Sequence, residues 1–195
     1  MLIPISRFIG SSVLSLQTGM PLARISEPII DPRKLHVVAF RVIGANLSHA
    51  ESVLHSEDIR EFSEIGTIVD DDSSLMPLDD LVRLQKVLAY NFHIIGIKVI
   101  TKKGVSLGRV ASFGLDRDTY DIMQIYVQPS LLKSITMTGT TINRSQITAV
   151  NSERIIVKDA IVSQAEPVKK PLTTQSFVNP FRPQPQTKPT STQSV

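Results

Sequence analysis

Cysteine is absent from this chain of 195 residues. That excludes disulfides, thiolate metal sites and cysteine nucleophiles, and it suits a reducing compartment. Long apolar runs are absent as well. No segment approaches the roughly 20 residues a membrane-crossing helix needs, so no integral membrane segment is expected. The opening residues, MLIPISRFIGSSVLSL, lack a basic start followed by a continuous apolar run. A secretory signal is therefore not expected, and a cytoplasmic location is.

Catalytic patterns are missing too. Serine catalysis would need a nucleophile elbow and an oriented His–acid pair, and the sequence suggests neither. Gly104-Val105-Ser106-Leu107-Gly108 has spaced glycines but no following Lys-Ser/Thr and no helix after it, so it reads as a hairpin turn, not a phosphate loop. His49 and His55 lie in an expected loop near Glu51, Glu57 and Asp58, while His36 and His93 stand apart. A zinc site needs several ligands that converge, and these read as surface side chains. Asp70, Asp71 and Asp72 are adjacent. A calcium loop needs alternating ligands and a distant bidentate Glu, so the three aspartates read as a surface turn. The expectation is a protein without enzymatic activity, cofactor or metal.

What the chain does contain is a foldable body with an uneven charge distribution. Hydrophobic residues make up 42% and charged residues 20%, as in a globular domain. Residues 1–92 carry eight Lys or Arg against twelve Asp or Glu; residues 93–163 carry nine against five. The first half is thus acidic and the second basic, a bias that bears on partners and says little about fold.

Residues 97–127, IKVITKKGVSLGRVASFGLDRDTYDIMQIYV, read as strand, glycine turn, strand, polar turn and strand. A weaker copy lies about 85 positions earlier. In it Gly19 matches Gly104, Ile25 matches Val110, Asp31 matches Asp116, Phe40 matches Ile125 and Val42 matches Val127. After a three-residue length difference, Ile59 matches Ile147 and Ile68 matches Ile156. Short, sharply turning strands favour closure into small barrels, which removes free edges. Gly108 suits a bulge or a close backbone approach. Between the copies, Leu78, Leu81, Leu84 and Leu88 form an apolar stripe at helical spacing. The expected organisation is all-β: a first barrel with an N-terminal arm over 1–76, a linking amphipathic helix over 77–92, a second barrel over 93–163, and a disordered tail over 164–195. That tail holds six prolines and many Ser, Thr and Gln.

The segment Val99-Ile100-Thr101-Lys102-Lys103-Gly104-Val105-Ser106-Leu107-Gly108-Arg109-Val110, with the turn at Asp116, the strand to Val127 and the segment from Ile142 to Val157, resembles the PRC-barrel family. That family includes the C-terminal domain of a ribosome maturation factor and the cytoplasmic part of a photosynthetic reaction-centre H subunit. The resemblance covers Ile94 to about Asp159, and less closely Val13 to about Val69, where Ala23 stands in place of a glycine. It implies a pair of small barrels that bind proteins or RNA–protein assemblies, without shared catalytic residues.

The resulting expectation is a non-enzymatic adaptor or scaffold that binds protein partners, with homodimerisation compatible with it. The alternatives are an RNA- or ribosome-associated assembly factor and a small enzyme. The candidate partner-binding residues are Lys98, Lys102, Lys103, Arg109 and Arg117 on the second repeat, and Phe177, Phe181 and Arg182 in the tail. Lys133 and Arg144 extend the basic set, and Tyr120 and Tyr126 are candidates to stack bases if their rings face outward.

Overall fold

A computed structural model describes residues 1–45, 47, 52–78, 82–129 and 139–159. The tail, with Phe177, Phe181 and Arg182, lies outside the described residues, as do Leu81, Lys133 and His49.

Two sheets of seven strands are built from the two repeats. The first contains β2 (Ser12–Ser15), β3 (Pro21–Asp31), β4 (His36–Ile43), β5 (Ser52–His55), β6 (Glu61–Phe62), β7 (Thr67–Val69) and β8 (Leu75–Pro77), in the spatial order β6-β7-β2-β3-β4-β5-β8. The second contains β9 (Lys98–Thr101), β10 (Ser106–Asp116), β11 (Ile122–Gln128), β12 (Thr140–Asn143), β13 (Ile147–Val150) and β14 (Arg154–Val157), in the order β12-β11-β10-β9-β14-β13. Its seventh strand is β1 (Leu2–Pro4), which leaves the first repeat and pairs with β10.

The sheets match in register. Arg24 pairs with Ile43, and Arg109, 85 positions on, pairs with Gln128. The bulges fall at matching places, between Ile25 and Glu27 and between Val110 and Ser112. Gly10 and Gly96, both at positive φ, donate their N–H groups to Ile25 and Val110, each at 2.8 Å. Asp31 and Asp116 shape the following turns by accepting backbone N–H groups two residues on, from Arg33 and Asp118.

The expected pair of closed barrels is corrected by this topology. Among the described residues each sheet is open: β6 does not pair with β8, nor β12 with β13. Closure would remove edges, but here the edges are kept short. β6 has two residues, and β8 has three and ends at Pro77. The apolar faces are also buried in a shared core. A single cluster runs from Val13, Phe40 and Leu54 of the first sheet to Val99, Phe113 and Ile125 of the second.

The two halves meet around Leu35 and Tyr120, which occupy matching positions 85 apart, both at positive φ (47° and 56°). Val37 N–H donates to the Tyr120 carbonyl at 3.0 Å, and Ile122 N–H donates to the Leu35 carbonyl at 2.8 Å. His36 and Asp121, again matching residues, form an antiparallel bridge between the halves. The Tyr120 ring enters the first half's aromatic group, edge-on to Phe8 at 6.0 Å and to Phe40 at 6.3 Å. Arg144 closes the junction by donating to the carbonyls of Leu35 and Ile122.

The connecting helix is shorter than its leucine spacing suggests. α1 spans Val82–Leu88, and Pro77 belongs to β8. Leu84 is buried with Ile29, Ala39 and Val53, and Leu78, Val87 and Leu88 pack around this second cluster. Among the described residues, no helix is long and apolar enough to cross a membrane.

Candidate functional site

Side chains alternate across a strand, so a buried residue fixes the direction of its neighbour. Val99, Val110, Val127 and Ile155 all point into the core. The adjacent Lys98, Arg109, Gln128 and Arg154 therefore stand on the outer face, and all four are exposed. The registers set them side by side: Arg154 opposite Lys98, Lys98 opposite Arg109, and Arg109 opposite Gln128. Neighbouring strands lie about 4.8 Å apart, so three cations fall in a row roughly 10 Å long. Lys98, Ser106, Gly108, Arg109, Gln128 and Pro129 line a shallow cleft of about 540 Å³ at this row.

The three cations are held differently. Arg109 donates Nη1–H to the Gly96 carbonyl at 2.7 Å, and the matching Arg24 does the same to Gly10 at 3.2 Å. This guanidinium is thus part of the repeat's own architecture, with its remaining N–H groups available to solvent. Arg154 lies 3.6 Å from exposed Glu153, a contact that water and salt weaken. Lys98 makes no ion pair among the described residues. The matching row of the first sheet, Ser12–Arg24–Ile43, has a single cation and ends in an exposed isoleucine.

The structure thus brings together Lys98 and Arg109, and adds Arg154, which the sequence reading missed. No local pattern marks it: β14 pairs in parallel with β9, as β7 does with β2, and that pairing places residue 154 beside residue 98. Lys102 and Lys103 occupy the exposed β9–β10 turn, at the far end of β9 from the row. There the Lys103 N–H donates to Asp159 at 3.1 Å. Arg117 lies apart, 3.4 Å from Glu61 in a separate cleft lined by Leu2, Phe62 and Glu64.

Of the two tyrosines, Tyr120 is buried and cannot stack on a base. Tyr126 shares the outer face of β11 with Gln128, and its hydroxyl accepts a hydrogen bond from Gln124 Nε2. Two of the three aspartates of the acidic run hold structure. Asp70 pairs with both nitrogens of the Arg60 fork, and Asp71 accepts from Ser73 N–H at 2.9 Å. The hydrogen bond from Arg60 holds the Asp70 carboxyl below its ordinary pKa. No group of three His, Asp or Glu that could hold a metal occurs among the described residues.

No protein-family model matches this chain, and no curated protein matches it. The PRC-barrel resemblance is corrected on both counts, since the family model fails to match and the sheets do not close. The quoted pattern consists of turn glycines and alternating core positions. Those residues specify a bulged hairpin, which an open sheet uses as well as a barrel does.

Proposed function

We propose that the chain is a non-enzymatic scaffold that binds an acidic protein partner on the outer face of its second sheet. The observation that carries this reading is the Arg154–Lys98–Arg109 row, present on one sheet and reduced to a single arginine on the other. The strand ladders fix the backbones of the row, so little order has to be gained on binding. Exposed ion pairs contribute only about 0–1 kcal/mol each, so the row would supply steering and register while flanking contacts supply most of the affinity. Binding without covalent chemistry is part of the proposal, and so is a cytoplasmic setting, which the absence of cysteine suits.

The test is fluorescence anisotropy of the full chain with a labelled Glu-rich peptide at low and moderate salt. Charge reversal by Lys98→Glu with Arg154→Glu should weaken binding by about tenfold or more, and added salt should weaken the parent's binding. Lys102→Glu with Lys103→Glu should have less effect. Peptide binding that ignores the first pair of changes would reject the reading. One observation favours a second reading, RNA: Tyr126 stands beside the basic row. In that case a labelled single-stranded RNA would bind more tightly than the peptide and would be released by Tyr126→Leu.

A further inference from the structure

The two repeats differ at one sheet edge. In the first sheet, β5 is followed outward by β8, with Ser52 opposite Pro77, Val53 opposite Met76 and Leu54 opposite Leu75. β12 holds the same place in the second sheet. On its inner side Ile142 pairs with Ile125, as Leu54 pairs with Phe40, and both Ile142 and Leu54 are fully buried. Yet β12 ends its sheet, and among the described residues nothing takes the seat that β8 fills on β5. Among the described residues the outward-facing groups of Thr140–Asn143 have no strand partner, in an arrangement the same molecule shows to accept a strand. Of these groups the Asn143 N–H already donates to Gln146 Oε1 at 2.8 Å.

Beside this edge lies a shallow cleft of about 570 Å³, lined by Leu2, Met123, Gln124, Asn143, Arg144 and Ser145. Leu2 and Met123 are both exposed within it. It offers an apolar landing place at the Asn143 end of the strand. The chain's own sequence fits this seat poorly. Counting forward by the offset that relates β5 to β12, the residues matching Leu75, Met76 and Pro77 are Ser163, Gln164 and Ala165, small or polar where the first repeat is apolar.

We propose that the β12 edge is a strand-addition site for a partner protein. The occupant is an extended, uncharged segment that pairs antiparallel with Thr140–Asn143 through its backbone and places an apolar side chain against Leu2 and Met123. The proposal rests on the reading of the chain as a scaffold, but it uses a different surface and different chemistry from the basic row.

The experiment is residue-resolved amide hydrogen exchange on the full chain, with and without a capped peptide of sequence SSLMPL, the molecule's own residues 73–78, which contain β8. The Asn143 N–H turns away from β11 to Gln146, so by alternation the Thr141 N–H faces the open edge. Excess peptide should slow its exchange by about fivefold or more, and should do so equally in the Lys98→Glu, Arg154→Glu variant. Met123→Glu, a change on the exposed surface, should reduce the effect. No change with peptide would overturn the proposal. So would protection of the Thr141 N–H already present without peptide in the dilute chain, which would make the occupant a segment of the chain itself. Protection that grows with protein concentration alone would assign the edge to a second copy and also overturn it. Loss of Glu-rich peptide binding with SSLMPL protection intact would count against the basic row only. The reverse result would count against the strand site only.

Discussion

At Gly108 the backbone holds φ at +138°, and a Cβ there would lie 1.9 Å from the Gln128 carbonyl oxygen and 2.9 Å from the Pro129 Cα. Both opposing atoms are backbone, so no rotamer change can make room. The bulge this glycine permits, between Ser106 and Gly108, sets Lys98 opposite Arg109. At the matching position the first sheet carries Ala23 and tolerates its methyl group in the core, so the constraint belongs to the second sheet and not to the repeat as such. Gly108→Ala should cost about 2–4 kcal/mol through strain and a forced shift of β11. Gly104 also has positive φ, but no atom lies within 4 Å of the site its Cβ would take. Its alanine variant should cost about 1 kcal/mol, from backbone preference alone. Urea denaturation of the two variants checks the difference, and equal losses would refute the close-approach argument.

At the scale of elements, what was legible followed from local chemistry. The glycine turns at Gly19 and Gly104, the aspartate turns at Asp31 and Asp116, and the strands around them could be read because each depends on a few neighbouring residues. β1 and β8 were not legible. Each has three residues, and Leu2 finds its partner at Asp116; no local pattern records so distant a pairing. Of the candidate site, Lys98 and Arg109 were legible as basic residues on adjacent strands. Arg154 was not, because its place in the row depends on a parallel pairing across more than fifty residues. The leucine spacing located α1 but overstated its length. The chain turns after Leu88, where Asn91 donates its N–H to the Leu88 carbonyl at 2.8 Å with φ of +44°. A helix of seven residues has little stability of its own and depends on docking. Leu84, almost wholly buried against Ile29, Ala39 and Val53, supplies that docking. Leu84→Ala should cost about 2–4 kcal/mol. Amide exchange should rise within residues 82–88 while β10 and β11 keep their protection. Unchanged exchange in the helix would mean that Leu84 does not hold it.

For the whole molecule, the difference between two barrels and two open sheets turns on what covers each inner face. Hydrophobic alternation marks that face without naming its cover. Here the cover comes partly from the other half, and Tyr120 is the clearest case: a residue of the second repeat packed edge-on against Phe8 and Phe40 of the first. Because one apolar cluster spans both sheets, the halves should unfold together, in one transition seen alike by far-ultraviolet circular dichroism and by tyrosine fluorescence. The same burial makes that transition sensitive to alkali. Removal from water raises the Tyr120 phenol to about 12; the nearby Arg117 charge opposes the shift and Asp118 adds to it. The unfolded chain releases this proton near the ordinary value of 10, while the folded chain keeps it. Between pH 10 and 12 the unfolded state therefore binds fewer protons than the folded state, and stability falls as pH rises. The stabilisation is complete below pH 10 and is lost as pH climbs through the folded value. The loss from this one group should be about 1–3 kcal/mol across that window. Lysines and the remaining tyrosines also titrate in alkali, so the informative quantity is the parent's decline minus that of Tyr120→Phe, which keeps the ring and removes the proton. Urea midpoints taken from pH 8 to pH 12 should show a steeper fall for the parent. Parallel declines would place the phenol in contact with water and would undo the argument that Tyr120 ties the two sheets into one cooperative unit.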